Sequence, residues 1–324
     1  MAPAKLAVVF LATLAILSLL PAQGSSGSLV VRNPVLTHHN GPLLKGNLSL
    51  AILWYGNFGR SHKSVIRKFI RSLNNDGTGL QPRVSTWWRM VESYQGAVLA
   101  GRRRASPPPI RVRVAKQTSD KTYSSGNILT QDIIPGLVKQ ATGGSRSLIA
   151  AIFTAKDVSV QGLCTGKCSL HGVVTTGQSQ QLYMVVGNPV LECPYDCAWP
   201  FHKPKKGAVK SKVLKPPSGK VGADAMVVSL ASALAGMVTN PYNTGFFQGH
   251  GRNQIEAVTA CSKVFGTGAH PGYTGKVAID GATGRAFNAH GWRAKFLLPG
   301  LWNPKTSSCW TLMSPNDMCE IIGC

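Results

Sequence analysis

Cysteine spacing constrains this chain more than any other feature. Cys164 and Cys168 form one Cys-x-x-x-Cys pair, Cys193 and Cys197 a second, and a strand-like region lies between them. Structural zinc sites favour the shorter Cys-x-x-Cys spacing, and oxidising compartments favour disulfides. The first residues point to such a compartment. Met1 and Lys5 open an apolar run from Leu6 to Leu20, followed by the small residues Ala22 and Gly24. That pattern predicts a signal peptide over residues 1–24, cut before Ser25. The run falls short of the roughly 20 apolar residues of a membrane span, and no later segment reads as one. The eight cysteines, Cys164, Cys168, Cys193, Cys197, Cys261, Cys309, Cys319 and Cys324, are therefore expected to form disulfides. An even set of this size allows on the order of 100 pairings, and spacing alone does not choose among them.

Charge bounds the partners. Without Lys5 of the leader, 34 of the 35 basic residues remain against 12 acids. In an exported chain such a surplus points to acidic polysaccharide or anionic surfaces, and away from nucleic acid. The basic residues gather in two loops. One carries Arg102, Arg103, Arg104, Arg111 and Arg113; the other carries Lys203, Lys205, Lys206, Lys210, Lys212 and Lys215. Both are candidate polyanion-binding segments. Asn47-Leu-Ser49 is an N-glycosylation sequon, meaningful because the chain is read as exported.

Periodicity supplies the elements. Leu48–Tyr55 reads as a strand. In Ser61–Leu73 the residues Val65, Ile66, Phe69, Ile70 and Leu73 share a helical face, with Lys63, Arg67, Lys68 and Arg71 opposite, a face expected to be solvated. Ser85–Tyr94 is expected to be a helix carrying Trp87 and Trp88. Neighbours on a helix diverge by about 100°, so one indole at most is expected to point fully inward. Asn127–Gln140 reads as a helix, Ser147–Thr154 as a strand, and Gly172–Val174 and Leu182–Val186 as further strands. Ala223–Gly236 reads as a helix capped by Asp224, with Met226, Leu230, Leu234 and Met237 as its buried stripe. The order predicts one α+β or α/β domain, residues 25–312, with a mixed sheet flanked by helices and closed by disulfides.

Reactive constellations are sparse. The α/β-hydrolase motif Gly-x-Ser-x-Gly is absent, as are a P-loop and His-Glu-x-x-His. Gly266-Thr-Gly268 follows a helix-like segment, whereas a dinucleotide fingerprint follows a strand. Glu192 and Asp196 are the nearest approach to a glycosidase pair, but they flank Cys193 and Cys197 in a constrained turn. His171, His202 and His250 are the candidate metal ligands, if distant residues converge.

Several phrases together carry a resemblance. Leu53-Trp-Tyr-Gly56, Ser85-Thr-Trp-Trp88, Val160-Gln-Gly-Leu-Cys-Thr-Gly-Lys-Cys168 and Cys193-Pro-Tyr-Asp-Cys-Ala-Trp-Pro-Phe-His202 resemble the plant EXORDIUM-like, or phosphate-induced, proteins. Thr239-Asn-Pro-Tyr, Phe246-Phe-Gln-Gly249 and Lys295-Phe-Leu-Leu-Pro-Gly-Leu-Trp-Asn-Pro304 agree with it. The resemblance implies secretion to the apoplast and a link to cell expansion, carbon-limited growth and brassinosteroid response, with no catalytic activity attached. It also implies an Ala-His-Glu-Leu-Ala-Glu segment in some members where this chain has Ala231-Ser-Ala-Leu-Ala-Gly236. A His-Glu-x-x-Glu helix is similar to the zinc helix of metallopeptidases. Ser232, Ala233 and Gly236 can neither ligate zinc firmly nor act as a base, which places this chain in a non-catalytic branch. Residues 313–324, with Cys319 and Cys324, form an extension past the usual end.

The expectation is thus a non-enzymatic apoplastic protein without a cofactor, binding acidic wall polysaccharide or a cell-surface receptor and promoting or regulating growth. The competing expectation is an extracellular hydrolase, metal-dependent or a glycosidase, with a site assembled from distant residues.

Overall fold

A computed structural model describes residues 34–75, 79–98, 108–205, 212–251 and 254–313. The leader, Arg102, Arg103, Arg104, Lys206, Lys210, Cys319 and Cys324 lie outside the described residues.

At the centre is a five-stranded sheet. Its strands are β1 (Asn47–Tyr55), β2 (Arg111–Asp120), β3 (Ile149–Thr154), β4 (Ser169–Thr176) and β5 (Ser179–Gly187). The spatial order is β2-β1-β3-β5-β4. The first three junctions are parallel, and β4 closes one edge antiparallel to β5, so the sheet is mixed. Four main helices flank it: α1 (Arg60–Leu73), α2 (Val84–Val98), α3 (Ile134–Thr142) and α4 (Val221–Thr239).

The apolar run of β1 is explained by its place between layers. Parallel strands covered on both faces need both side-chain sets apolar. Leu50, Ile52 and Trp54 join the larger core with α1, α2 and α4, while Ala51, Leu53 and Tyr55 join a second core with α3. β3 divides likewise, Ala151 and Phe153 toward one core and Ala150 and Ile152 toward the other. The described residues from Pro34 onward belong to one compact unit, an α+β fold.

Local departures from the sequence reading have physical causes. Trp87 and Trp88 are both buried, each 1% exposed. Helix α2 is covered on more than one side, and each indole finds a carbonyl: Trp87 Nε1 donates to Pro299 at 2.7 Å and Trp88 Nε1 to Ile110 at 2.8 Å. The helix expected from Asn127 starts only at Ile134, because Ile128 and Leu129 pair with Ser159 and Val160 as short parallel strands. Pro135 stands in the first helical turn, where its missing N–H costs nothing.

Helix α4 corrects two readings. It begins at Val221, and its N-cap, Lys220, makes no side-chain capping bond. Asp224 lies inside the first turn and accepts hydrogen bonds from Ser218, backbone N at 2.9 Å and Oγ at 2.7 Å. Its carboxyl is 3% exposed. Burial pushes its pKa up to about 6, only partly offset by Ser218, Lys220 and Arg285. The helix is also long and apolar enough to cross a membrane by composition, contrary to the sequence reading. Within this fold 83% of that apolar stretch is buried, as expected of a core helix packed on most sides.

Three disulfides tie the described residues: Cys164–Cys193, Cys168–Cys197 and Cys261–Cys309. The two Cys-x-x-x-Cys pairs cross-link to each other, fastening the loop before β4 to the short helix Pro194–Cys197.

Candidate functional site

The site begins with small residues on α4. Ser229, Ser232, Ala233 and Gly236 fall at i, i+3, i+4 and i+7, one stripe of a helix. Beside it run Met226, Leu230, Leu234 and Met237, all fully buried in the large core. Where the side chains are small the helix stands back from its neighbours. A cavity of about 740 Å³ opens against this stripe. Its walls come from Lys167–His171, from Asp196, Cys197 and Trp199, and from the segment between Gln254 and Phe265. The volume lies within the range of small-molecule sites. Two disulfides border it, Cys168–Cys197 and Cys261–Cys309, and they hold the flanking loops in place.

At one end lies an ion pair that the sequence gave no sign of. His171 on β4 places Nε2 at 3.0 and 2.9 Å from the two carboxylate oxygens of Glu256. The side chains are 9% and 16% exposed. Asn240 Nδ2, just past the end of α4, donates to the same carboxylate at 2.7 Å. Burial alone would raise the Glu256 pKa; the His171 charge and hydrogen bond, with Asn240 and Lys167, outweigh it and hold it below the ordinary glutamate value. His171 Nδ1 is buried with no hydrogen-bond partner.

Gly236 lets this pair sit against the helix. A Cβ at that position would lie 2.6 Å from His171 Nε2 and 2.9 Å from Glu256 Oε2, closer than real Cβ atoms come. The charged pair fills the space that a side chain at 236 would occupy.

The zinc helix implied by the resemblance does not fit these residues. Ser232 and Ala233 face the cavity and offer one hydroxyl. The two strong donors near Gly236, His171 and Glu256, are bonded to each other. Among the described residues no group of three His, Cys, Asp or Glu side chains is placed to hold a metal ion. The other sequence candidates stay apart. His202 Nδ1 bonds its neighbour Lys203 and its ring stacks edge-on with Tyr195, while His250 is exposed. Asp196 lines the cavity mouth 3.6 Å from Lys263, whereas Glu192 is exposed and is not part of the wall.

The basic residues occupy a different part of the molecule. Arg60, Arg67 and Arg71 are exposed on α1, with Lys63 and Lys68 half-buried among them. The C-terminal cap of α1 is stitched to the start of β2: Val112 N donates to Asn74 Oδ1 at 2.9 Å, and Arg111 to the Asn74 carbonyl at 3.2 Å. Arg111, Arg113 and Lys116 are exposed on β2, an edge strand, where Val112 and Val114 face the α1 side of the sheet; Arg113, bonded to Ser49 Oγ at 2.9 Å, and Lys116, level with Ala51, project from the α3 side. Among the described residues none of these eight cations forms an ion pair. Lys63 is held below the ordinary lysine pKa, first by partial burial and then by the charges of Lys121 and Arg67. Lys203, Lys205, Lys212 and Lys215 are exposed, as is Asn47 at the first position of β1.

Residues 36–312 match the family described as the phosphate-induced protein 1 conserved region. The chain belongs to that family. Protein EXORDIUM-like 2 of Arabidopsis thaliana is 39% identical over 300 residues, covering 89% of this chain and 93% of its own length. Protein EXORDIUM of the same plant is 39% identical over 309 residues, with 92% and 96% covered. Protein PHOSPHATE-INDUCED 1 of Nicotiana tabacum is 38% identical over 288 residues, with 87% and 89% covered. No solved structure matches the chain. For the phosphate-induced family, sequence phrases around the cysteines locate one wall of the cavity. Glu256 and Ser229 lie outside the phrases that carry the resemblance; Lys167 and Asn240 lie inside them, but no phrase shows that either stands by this cavity or its ion pair.

Proposed function

We propose that this chain is a secreted protein of the plant cell wall that promotes or regulates cell expansion by binding acidic wall polysaccharide without catalysis. The observation that carries the reading is the set of exposed cations on α1 and on the edge strand β2, none of which forms an ion pair among the described residues. Exposed arginines and lysines without an ion pair among the described residues attract a polyanion from a distance of several ångströms, and salt screens that attraction. The one acid of β2, Asp120, is buried and occupied by Ser124, Thr122 and Gln140. The exposed lysines at 203, 205, 212 and 215 extend the same tendency, and Arg102, Arg103, Arg104, Lys206 and Lys210 add to it from outside the described residues. A glycan on Asn47 and three disulfides suit an extracellular chain.

Retention on de-esterified pectin across a salt series tests the binding. The wild-type chain is expected to elute at clearly higher salt than an Arg67→Glu/Arg71→Glu/Arg111→Glu variant. Weak retention that ignores salt, or equal elution of both chains, contradicts the proposal. The non-catalytic part has its own test, because Ser232 stands in a cavity with a His–Glu pair. A fluorophosphonate probe is expected to leave Ser232 unlabelled; stoichiometric labelling there would establish a nucleophile and a hydrolase. For growth, purified wild-type chain supplied to elongating tissue is expected to raise extension more than the charge-reversed variant does.

A further inference from the structure

We infer that the cavity against α4 is a second and separate binding site, for a short acidic oligosaccharide. The inference rests on the wall-polysaccharide reading for the chemistry of its ligand, and on the cavity alone for its place.

The lining alternates apolar and hydroxylated surface. Val228, Val258 and Pro299 offer apolar contact, and Ser229, Ser232 and Thr259 offer hydroxyls. A sugar ring has the same alternation, C–H faces bordered by hydroxyl edges. A site that recognises such a ligand needs a few convergent polar groups in an otherwise apolar cleft. The His171–Glu256 pair supplies a fixed one, held by Asn240 and seated against Gly236.

Charge selects the class of sugar. The Glu256 carboxylate is already bonded by His171 and Asn240, and Asp196 is exposed beside Lys263. Lys167 lines the cavity, is half-buried and makes no ion pair among the described residues. With a neutral sugar that ammonium keeps only its longer-range attraction to Glu256, whereas a uronic acid places a carboxylate directly against it in a partly desolvated setting, where charge-assisted hydrogen bonds are strongest. The cavity and the basic face therefore divide one ligand chemistry by size. The face takes the polymer through screened charge, and the cavity takes a short piece through shape and fixed hydrogen bonds.

Titration calorimetry on the full mature chain, with tri-galacturonate as the probe and neutral cellotriose beside it, separates these claims. One acidic trisaccharide per chain is expected, bound at least about tenfold more tightly than cellotriose, the size of one charge-assisted hydrogen bond. Lys167→Gln is expected to remove about that factor, and Ser232→Trp, which fills the cavity, to abolish binding. Both variants should keep wild-type salt-dependent retention on pectin, and a cooperative thermal melt near that of wild type reports that they are folded. The Arg67→Glu/Arg71→Glu/Arg111→Glu variant should show the reverse pattern. Trisaccharide binding that survives Ser232→Trp, equal affinity for cellotriose, or no binding by a wild-type chain that still retains on pectin would each overturn the cavity assignment and leave the polymer reading standing.

Discussion

Along one stripe of α4, Met226, Leu230, Leu234 and Met237 have no exposed surface and interdigitate with α1, α2 and the sheet. Along the adjoining stripe, Ser229, Ser232, Ala233 and Gly236 leave a cavity of about 740 Å³ and a charged pair. The same backbone carries both. The first stripe is filled with large apolar side chains, so its contribution is burial, on the order of 2 kcal/mol for each such residue. The second forgoes that burial and gains a built space with polar groups fixed around it. A helix that served only the core would have no reason to keep four small residues in register beside a histidine and a glutamate. The two stripes separate what stabilises the molecule from what it can hold.

Substitution on each stripe should separate them in measurement, and the largest effect belongs to the core. Leu230→Ala is expected to cost about 2–5 kcal/mol in a denaturant titration, through lost burial and the cavity left behind. A loss under 1 kcal/mol would mean that this side of the helix is not packed as described.

The N-terminal turn of α4 obeys neither rule, because its buried group is a carboxyl. With a folded pKa of about 6 for Asp224 and about 4 for an unfolded aspartate, the fold favours the protonated form. Its contribution is fully present below about pH 4 and is lost as pH rises through about 6, by up to about 3 kcal/mol. Asp224→Asn should flatten that part of the melting-temperature profile between pH 4 and 6.5. Glu256 works in the opposite sense, since its pKa is lowered: the stability it adds is present above the ordinary glutamate pKa and is lost as pH falls through the folded value. A wild-type profile with no fall on the alkaline side of pH 4 would contradict the account of Asp224.

Gly236 gives the sharpest sign test. In an open helix Gly→Ala stabilises by about 1 kcal/mol. Here the new Cβ would meet His171 and Glu256, so Gly236→Ala is expected to destabilise by about 1 kcal/mol instead. In a His171→Ala/Glu256→Ala background both obstructing side chains are gone and the same substitution should become stabilising. A sign that does not reverse would show that the ion pair does not rest on this position. Ser232→Ala is the smallest change, within about 0.5 kcal/mol of wild type in stability.

How much of this was legible beforehand depended on distance along the chain. The face of α1 formed by Ile66, Phe69, Ile70 and Leu73 is a local period, and the structure buries all four. The burial of both faces of β1 and β3, and hence a sheet with helices on both sides, follows from equally local runs of apolar residues. Trp87 and Trp88 defeated a one-dimensional reading because a helix covered on two sides buries neighbours that point about 100° apart. Asp224 looked like a cap from its position alone, but the helix starts three residues earlier and the carboxyl turns back to Ser218. The small residues of α4 were visible, yet what they face was not. His171 and Glu256 stand 85 residues apart in sequence and meet only because β4 and the segment that follows α4 fold together. The basic face of α1 reads as ordinary solvated charge, and only the fold brings Arg111 of β2 to its C-terminal cap.

Hydrogen exchange read by mass spectrometry, on the glycosylated mature chain with and without saturating tri-galacturonate, tests the division most directly. The account predicts new protection in peptides spanning 164–171 and 254–263, the two walls that face Ser232, with α1 and β2 unchanged by so short a ligand. Protection confined to α1 and β2, or none anywhere, would contradict it and reduce the open stripe of α4 to unfilled space.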